Sequence, residues 1–570
     1  MTTYILGISG FDHDAAAALM KDGKIVAAAE EERFSRVKHQ TGIPHGAIDF
    51  VLGSQKISMD DISHIAIDFI PSKTFIGRGK YWLWQAIKGN PLAFNIFLSE
   101  IGNTMVRTSE SSRLGIGFGR RIPVHWVPHH VAHVYSTYCA FDLQSAAVLS
   151  LDFMGENNTS YGGVFRGKTL DDLINISFPH SLGSMFAGLT EYLGFEKLSD
   201  EYKVMGLASY GKPKFINQMR ETIMLLPDGR FKLNLDFFDF SKTLGRTAYV
   251  SQRFIDVFGL SRLKGEEVSD KHANIAASLQ QVLGETIMHM AEYLKEKTNE
   301  DALCFSGGVA LNCVANQLLA KSGLFEKIFI HPAPYDAGAS LGATYFVWHN
   351  ILGNEESCPL TSAYLGPSFE NFDYQSLLAS SGYHFEKLDD AEAVALSAAS
   401  DLSKKKVIGW FQDKMEWGPR ALGNRSILAD PRDKNMIDRV NLKIKYREPF
   451  RPFAPSAMRE YANQYFELVG DPRFMLYTVD ATKKAQEEIP AVVHIDNTSR
   501  VQVVDKESNP KYWSLINRFR EITGVPVILN TSFNIKGEPI VCTPQEALRC
   551  FSATGLDVLY MQDYKITKLD

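Results

Sequence analysis

The chain has 570 residues, more than one hydrophobic core normally supports, so two or three domains are expected. Its formal net charge of −6 excludes a general electrostatic attraction to nucleic acid or an anionic membrane, although a local basic pocket stays possible. The six cysteines form no CxxC pair, which argues against a disulfide framework or a structural zinc. Without a signal-like N-terminus or an apolar run of membrane-spanning length, a cytoplasmic location is expected.

The first hundred residues combine strand patterns with one helix. Apolar runs at 4–9, 15–20 and 25–29 predict strands, and Asp22-Gly23 between the last two predicts a hairpin turn. Residues 44–52 predict a helix that begins near a proline. Residues 65–70 and 124–127 predict further strands, and the stretch 71–119 between them shows no clear pattern. We interpret it as an insertion, with the glycine-rich residues 115–119 as a loop.

The segment Pro128-His-His-Val-Ala-His133 begins a predicted helix that runs through Tyr138. His129 and His133 are four residues apart, a spacing that places two side chains on one helix face. Asp152 ends an apolar run, 146–151, that predicts a buried strand. Two imidazoles and a carboxylate are a plausible divalent-metal site. Paired histidines that cap a helix or lie at the surface are the alternative.

The middle of the chain alternates predicted helices and strands. Residues 184–193 and 273–293 predict helices, and the glycine-punctuated stretch 201–211 predicts a loop. The predicted strands 302–305 and 328–331 are each followed by a helix, an order that implies parallel strands. Ser306-Gly307-Gly308 lies between strand and helix, where backbone N–H groups can approach a phosphate, or where the glycines simply make a turn. Asp336 stands at the corresponding strand end and could bind a metal, cap the helix, or do both.

Beyond a polar linker at about 353–367, residues 407–411 and 525–529 predict strands, and 436–444 and 544–552 predict helices of a second α/β domain. Cations are mixed with Trp, Gly and Pro in the segments 416–426 and 443–455, and Asn530-Thr-Ser-Phe-Asn534 follows a strand. This composition favours a preorganised anion pocket over a solvated charged surface. Surface ion pairs with Glu416, Asp430 and Glu448 are the alternative.

Six motifs occur in a characteristic order: His13-Asp14-Ala, Glu30-Glu-Glu-Arg-Phe34, His129/His133, Gly307-Gly-Val-Ala-Leu-Asn312, Gly418-Pro-Arg-Ala-Leu-Gly423 and Asn530-Thr-Ser-Phe-Asn534. Together they resemble the O-carbamoyltransferases of nodulation and antibiotic tailoring, over essentially the whole chain. The resemblance implies an actin/sugar-kinase-like domain with duplicated mixed-sheet layers at 1–355. It also implies a C-terminal α/β domain at 356–570 that is similar to threonylcarbamoyl-adenylate synthase.

The reaction that the resemblance implies has two steps. Carbamoyl phosphate and ATP with Mg²⁺ give carbamoyl-adenylate and pyrophosphate in the C-terminal domain. The N-terminal domain then transfers the carbamoyl group to a hydroxyl of a small-molecule natural product or sugar, and AMP leaves. The resemblance also implies a homodimer. No nucleic-acid or membrane partner is expected, because the net charge and the absence of an apolar run of membrane-spanning length give no support for one. A transferase acting on tRNA and a nucleotide-binding regulator without activity are the alternatives.

Site residues follow from the resemblance by motif position. The implied metal ligands are His129, His133, Asp152 and Asp336, for iron(II) first and for manganese or zinc as alternatives. Gly307, Gly308 and Asn312 line the adenylate, and His13 lies at the acceptor end, where it acts as general base or positions charge. The residues implied to hold ATP and carbamoyl phosphate are Arg420, Lys445, Arg451, Arg500, Asn530 and Ser532; Arg420, Lys445 and Arg451, with His13, are the implied catalytic residues.

Overall fold

The chain divides into two units of mixed α/β structure in the computed structural model, which describes residues 2–117, 120–244, 248–356, 359–448 and 450–569. The first unit comprises residues 1–31 and 39–360, and the second comprises 32–38 and 361–570. A single boundary at 355/356 therefore misses one feature: the short segment 32–38, far from the second unit in sequence, belongs to it. Cys358 lies outside the described residues, and the other five cysteines are buried and form no disulfide bond within the described part of the chain.

Two five-stranded sheets form the first unit, and they have the same strand order. In each, the central strand comes first in the chain and begins an antiparallel meander of three strands. The same central strand pairs in parallel with a fourth strand, and the fourth pairs in parallel with a fifth. The first sheet has the order Lys24–Glu30, Ala16–Lys21, Tyr4–Ser9, His64–Ile67, Val124–Trp126. The second has the order Thr169–Ser177, Asn158–Arg166, Ser145–Leu151, Ala302–Ser306, Lys327–Phe329. The predicted hairpin and the predicted parallel strands are confirmed.

The α-helices of the first unit are His45–Ser54, Pro71–Ile87, Ala93–Leu114, His129–Tyr138, Leu182–Tyr192, Glu201–Ala208, Ile216–Arg220, Phe240–Thr243, Gln252–Phe258, Asp270–Thr298, Cys313–Lys321 and Asp336–Phe346. Helix Asp336–Phe346 packs against both helix His129–Tyr138 and strand Tyr4–Ser9. Glycines permit this approach, because a Cβ at Gly342 would lie 1.7 Å from the Ala132 carbonyl oxygen and one at Gly7 would lie 2.1 Å from that of Ser340. The close packing fixes Asp336 next to the histidine helix.

Two predictions for this unit are wrong. The stretch 71–119 is not patternless, because most of it forms the helices Pro71–Ile87 and Ala93–Leu114; residues 118–119 of its predicted loop lie outside the described part. Residues 201–208 form a helix and not a loop. That helix packs on Asp270–Thr298, and this burial offsets the roughly 1 kcal/mol that an interior glycine costs a helix.

An eight-stranded mixed sheet forms the centre of the second unit. Its order is His384–Lys387, Tyr564–Thr567, Val558–Met561, Ile408–Phe411, Arg425–Ala429, Val527–Ser532, Ala454–Met458, Gln502–Val504. The α-helices of this unit are Glu32–Ser35, Tyr374–Ala379, Ala391–Ser403, Met436–Val440, Arg459–Tyr465, Lys483–Glu488, Pro510–Thr523 and Pro544–Ser552. Within the described ranges, no helix of either unit is both long and apolar enough to cross a bilayer.

Candidate functional site

The four residues predicted as metal ligands converge in the first unit. Nε2 of His133 lies 2.8 Å from Oδ2 of Asp152 and 3.1 Å from Nε2 of His129. Oδ1 of Asp336 lies 3.6 Å from Nε2 of either histidine. Helix His129–Tyr138 supplies both histidines. Asp152 directly follows strand Ser145–Leu151, and Asp336 is the first residue of helix Asp336–Phe346. The predicted helix register and strand ends thus bring together residues 207 positions apart in the chain.

The residues present fit a divalent metal ion. Ligand atoms around a tetrahedral ion at about 2.1 Å lie about 3.4 Å from one another. Each histidine Nε2 lies 2.8 to 3.7 Å from the facing carboxylate oxygens and from the other Nε2, and all four ligand atoms lie within 4.8 Å of one another. Oδ2 of Asp152 is buried and has no aligned hydrogen-bond donor among the described residues. Such an unsatisfied carboxylate oxygen costs free energy unless a proton or a cation fills the space that it faces.

Burial and the neighbouring carboxylates shift the pKa of the clustered histidines in opposite directions. Burial lowers the pKa of His129, but the carboxylates of Asp336, Asp152 and Asp68 outweigh it and hold that pKa well above its ordinary value. Burial, and then the nearby Asp152 carboxylate, raise the pKa of Asp336. Asp68 accepts from Nδ1 of His129 at 3.2 Å, which orients the ring so that Nε2 faces the cluster. The sequence analysis did not identify Asp68, because a single carboxylate after a predicted strand is not a recognisable motif.

The adjacent His130 has a different role. Its ring nitrogens contact the Ser150 hydroxyl at 2.9 Å and the Asn158 carbonyl at 3.0 Å. Burial and the two neighbouring histidines lower its pKa to about 3. His130 is therefore a neutral structural side chain that ties the helix to the second sheet.

The predicted glycine turn lies directly beside Asp152. Gly307 has φ +84°, and a Cβ there would lie 2.1 Å from the Leu151 carbonyl oxygen. A Cβ at Gly308 would lie 3.1 Å from Oδ1 of Asp152. The Gly307 N–H donates to the Pro334 carbonyl at 2.8 Å, so it is the N–H of Gly308 that can approach an anion held at the His/Asp cluster.

Asn312 has a structural position. Its side-chain oxygen accepts from the Ala315 N–H at 3.0 Å, which caps helix Cys313–Lys321. Its amide pairs reciprocally with that of Gln280 at 2.9 and 3.0 Å. The contact of Asn312 with an adenylate stays a prediction. The hydrogen bonds to Ala315 and Gln280 already explain why an asparagine occupies this position.

His13 lies between a carboxylate and a backbone carbonyl. Its Nδ1 is 2.7 Å from Oδ2 of Asp14, and its Nε2 is 3.1 Å from the Leu198 carbonyl oxygen. The other oxygen of Asp14 accepts from His39 at 2.8 Å. Burial lowers the pKa of His13, but Asp14 outweighs it and raises the pKa to about 9. Both ring nitrogens thus face acceptors, as in an imidazolium ion.

Strand Val527–Ser532 organises the predicted cations of the second unit. Asn530 and Ser532 are two residues apart, so their side chains share one face of the strand. The Asn530 amide donates to the carbonyl of Ala421, beside Arg420, at 3.2 Å, and to Gln502, two residues after Arg500, at 3.1 Å. Asn530 is buried and its donors are used within the protein, so it supports the loop that carries Arg420.

Lys445 is buried at the end of the same strand. Its Nζ donates to the carbonyl oxygens of Ser532 and Asn534 at 2.8 and 2.9 Å, and to their side chains at 3.2 and 2.5 Å. Burial, and then the positive charges of Arg447, Arg451 and Lys38, hold the pKa of Lys445 well below its ordinary value. Positive charges forced together in this way are stabilised when an anion binds.

Two charged residues of the 416–426 segment are structural. Arg425 is fully buried, stacks 3.8 Å from the Phe411 ring centroid, and donates to the carbonyls of Gln412, Asn424, Pro367 and Asp413. Glu416 is buried as well, and one of its oxygens accepts from the N–H groups of Leu422, Asn424 and Arg425. Glu416 is therefore not the surface ion-pair partner that the alternative interpretation requires.

The motif Glu30–Phe34 contributes to the second unit in a way that local sequence does not reveal. Arg33 is buried and donates to the Gly418 carbonyl at 3.1 Å. Arg36 donates to the carbonyls of Pro539 and Ile540 at 2.8 Å each, and Phe34 packs on Met415, Ile540 and Cys542. The segment 32–38 thus supports the loop that carries Arg420.

Comparisons with known proteins agree across the chain. A family model described as "Carbamoyltransferase N-terminus" matches residues 4–345, and one described as "Carbamoyltransferase C-terminus" matches residues 399–568. The uncharacterized protein sll1178 of Synechocystis is 38% identical, with 99% of this chain and 97% of that protein covered. Nodulation protein NolNO of Sinorhizobium fredii is 36% identical, with 98% of this chain and 79% of that protein covered.

Among solved structures, HypF of T. kodakarensis is 16% identical, with a TM-score of 0.33, and the match covers 62% of this chain and 49% of that chain. The sequence relatives and the two family models span nearly all of the residues described above. The chain therefore belongs to the carbamoyltransferase family and is a carbamoyltransferase.

Proposed function

We propose that the protein is an ATP-dependent O-carbamoyltransferase that works through carbamoyl-adenylate. The observation that carries the proposal is the set of cations near strand Val527–Ser532, where Lys445 is buried against Ser532 and Asn534 and its pKa is lowered by burial first and by neighbouring positive charges second. Two phosphate-rich substrates repel each other, and fixed cations reduce that repulsion. The proposed acceptor is a hydroxyl of a small-molecule natural product or sugar.

Adenylation is assigned to the second unit. Arg420, Lys445, Arg451 and Arg500 would hold ATP and carbamoyl phosphate, and Ser532 would fix the position of Lys445. Atom balance requires that carbamoyl phosphate, ATP and water give carbamoyl-adenylate, pyrophosphate and inorganic phosphate. Similarity of this unit to threonylcarbamoyl-adenylate synthase is part of the proposal.

Transfer is assigned to the first unit, whose two sheets of equal strand order support the actin/sugar-kinase-like assignment. His129, His133, Asp152 and Asp336 would hold a divalent metal, proposed as iron(II), which supplies Lewis-acid stabilisation of phosphate charge when bound. Gly308 would present its N–H group to the same phosphate, and Gly307, whose N–H donates to the Pro334 carbonyl, would supply the turn that places it. His13, with an acceptor at each ring nitrogen, suits charge stabilisation and positioning better than general-base catalysis.

The test needs no acceptor. Purified protein is incubated with ATP, Mg²⁺ and carbamoyl phosphate, and pyrophosphate and inorganic phosphate are followed together. We expect release of both that depends on carbamoyl phosphate and is lost in Arg451→Ala. Absence of release even with a panel of hydroxylated acceptors, while ATP still binds, would refute the proposed activation step.

A further inference from the structure

The hairpin of helices Pro71–Ile87 and Ala93–Leu114 exposes a concentration of large apolar side chains. It spans 44 residues, yet it carries ten of the twenty-seven exposed large apolar side chains found in the described part of the chain. They are Phe75, Ile76, Leu83, Trp84, Ile87, Leu92, Phe94, Leu98, Met105 and Val106. Scattered single exposures are ordinary, but a contiguous group marks an interaction surface.

The first helix arranges these residues in a narrow stripe. Ile76, Leu83 and Ile87 follow one another at spacings of seven and four residues, which places them on one helix face. Lys73, Lys80 and Trp84 lie within the same face, and all three are exposed. Nζ of Lys88 stands 3.6 Å from the Trp84 ring centroid. Interleaved lysines, aliphatic side chains and a tryptophan are the composition of helices that lie in a membrane interface.

The opposite side of the hairpin is fixed to the metal cluster. Arg78 is buried and donates to the carbonyls of Gly155 and Glu156 at 2.5 and 2.7 Å. The Glu156 carboxylate accepts from the N–H groups of Ile70 and His129 at 3.1 Å each. The hairpin therefore has an inner face that is already occupied, with Arg78 and the apolar side chains of Trp82 and Ile96 buried, and an outer face whose apolar side chains are exposed.

Charge decides between the possible occupants of the outer face. Of the charged residues in 71–114, Arg78 pairs with Glu100 and Arg107 pairs with Asp12. The others are four cations and one carboxylate, a local excess of positive charge in a chain of net charge −6; they are Lys73, Lys80, Lys88, Arg113 and Glu110. Pairing this face with itself in a second copy would bring its lysines together, which is unfavourable. An anionic surface instead satisfies the apolar stripe and the lysines at once. The earlier expectation of no membrane partner rests on the charge averaged over the whole chain.

We propose that this hairpin binds the surface of a bilayer that contains anionic lipids, with the stripe of the first helix in the interface. The lysines contact lipid phosphates, and Trp84, Leu83 and Ile87 enter the boundary between headgroups and acyl chains. Replacement of two lysines by glutamates should weaken partition to the membrane by at least roughly 30-fold. The loss of about 1 kcal/mol for each basic residue gives this factor, and repulsion between the new carboxylates and the lipid phosphates adds to it.

The test measures co-sedimentation of the full chain with vesicles of phosphatidylcholine alone, or with about 30% phosphatidylglycerol. We expect binding only to the anionic vesicles, weakened by high salt and by either Lys73→Glu/Lys80→Glu or Trp84→Glu/Ile87→Glu. The matched controls are Lys212→Glu/Lys214→Glu and Leu260→Glu/Leu263→Glu, which change exposed residues elsewhere and should bind normally.

Two outcomes would overturn the proposal. One is equal binding, or no binding, to both kinds of vesicle. The other is a dimer in light scattering that Trp84→Glu/Ile87→Glu converts to a monomer while the unaltered protein ignores vesicles, because the occupant would then be a second copy. Pyrophosphate release should stay unchanged in every hairpin variant, so failure here is distinct from failure of the proposed adenylation.

Discussion

Replacement of Lys445 by methionine tests the anion pocket directly. The four oxygens around Nζ lie at 2.5 to 3.2 Å, so the ammonium group is already fixed before any substrate binds. A preorganised charge that contacts a phosphate in the transition state is worth about 2.7–4 kcal/mol, a factor of about 10² to 10³ in rate. We therefore expect Lys445→Met to lower carbamoyl phosphate-dependent pyrophosphate release by at least about 100-fold.

Lys443→Met is the matched control, because Lys443 is exposed and two residues away. We expect it to keep near-normal release. Loss of the Lys445 amine also leaves buried acceptors unsatisfied, at a cost of about 1–3 kcal/mol, so thermal unfolding by circular dichroism must show that the variant is still folded. A folded Lys445→Met protein that keeps more than about a tenth of the activity would falsify the assignment, because the loss of about 2.7 kcal/mol lowers a rate about 100-fold.

Three further predictions concern the first unit. Asp152→Asn should abolish stoichiometric metal binding in elemental analysis, whereas Asp68→Asn, which only loses the contact that orients His129, should weaken metal affinity about 10- to 100-fold; full metal content in Asp152→Asn would contradict the proposed ligand set. Gly308→Ala should slow carbamoyl transfer but not pyrophosphate release, because its Cβ would crowd Asp152 at 3.1 Å, while Gly53→Ala, which meets open space, should change neither. His13→Asn should abolish transfer and spare adenylation, and loss of both would place His13 elsewhere. Because the pKa of His13 is raised to about 9, its charged form stabilises the metal-free protein below its ordinary pKa of about 6.5; melting temperatures should show this advantage over His13→Asn at pH 6 and its loss as the pH rises through about 9.

Local patterns predicted the elements that carry the metal cluster. Helix His129–Tyr138, strand Ser145–Leu151 and the helix that begins at Asp336 all lie where the sequence places them. Strand ends and helix starts in a parallel arrangement meet at one edge of a sheet, so four residues far apart in sequence could be expected to converge. Asp68 and the reciprocal bonds of Asn312 could not, because a side chain's hydrogen-bond partner is set by tertiary packing.

The hairpin 71–114 shows a different limit of sequence reasoning. Its stripe of Ile76, Leu83 and Ile87 has helical spacing, but Gly77, Gly79 and the interleaved lysines weaken the pattern. Amphipathic periodicity usually indicates a face buried in the core. Here an apolar stripe is exposed, while Arg78 is buried together with the apolar side chains of Trp82 and Ile96, so periodicity alone does not identify the face that lies in the core.

Arg420 and Arg425 show why composition alone cannot separate a ligand-binding cation from a structural one. They lie five residues apart in one motif, and both were candidates for the anion pocket. Arg425 is fully buried, and its guanidinium donates to four backbone carbonyls while it stacks on Phe411. Arg420 is only half-buried, in a loop held by Arg33, Glu416 and Asn530. The difference depends on residues up to 387 positions away in the chain, so Arg425→Lys should destabilise the second unit, whereas Arg420→Lys should impair adenylation in a folded protein.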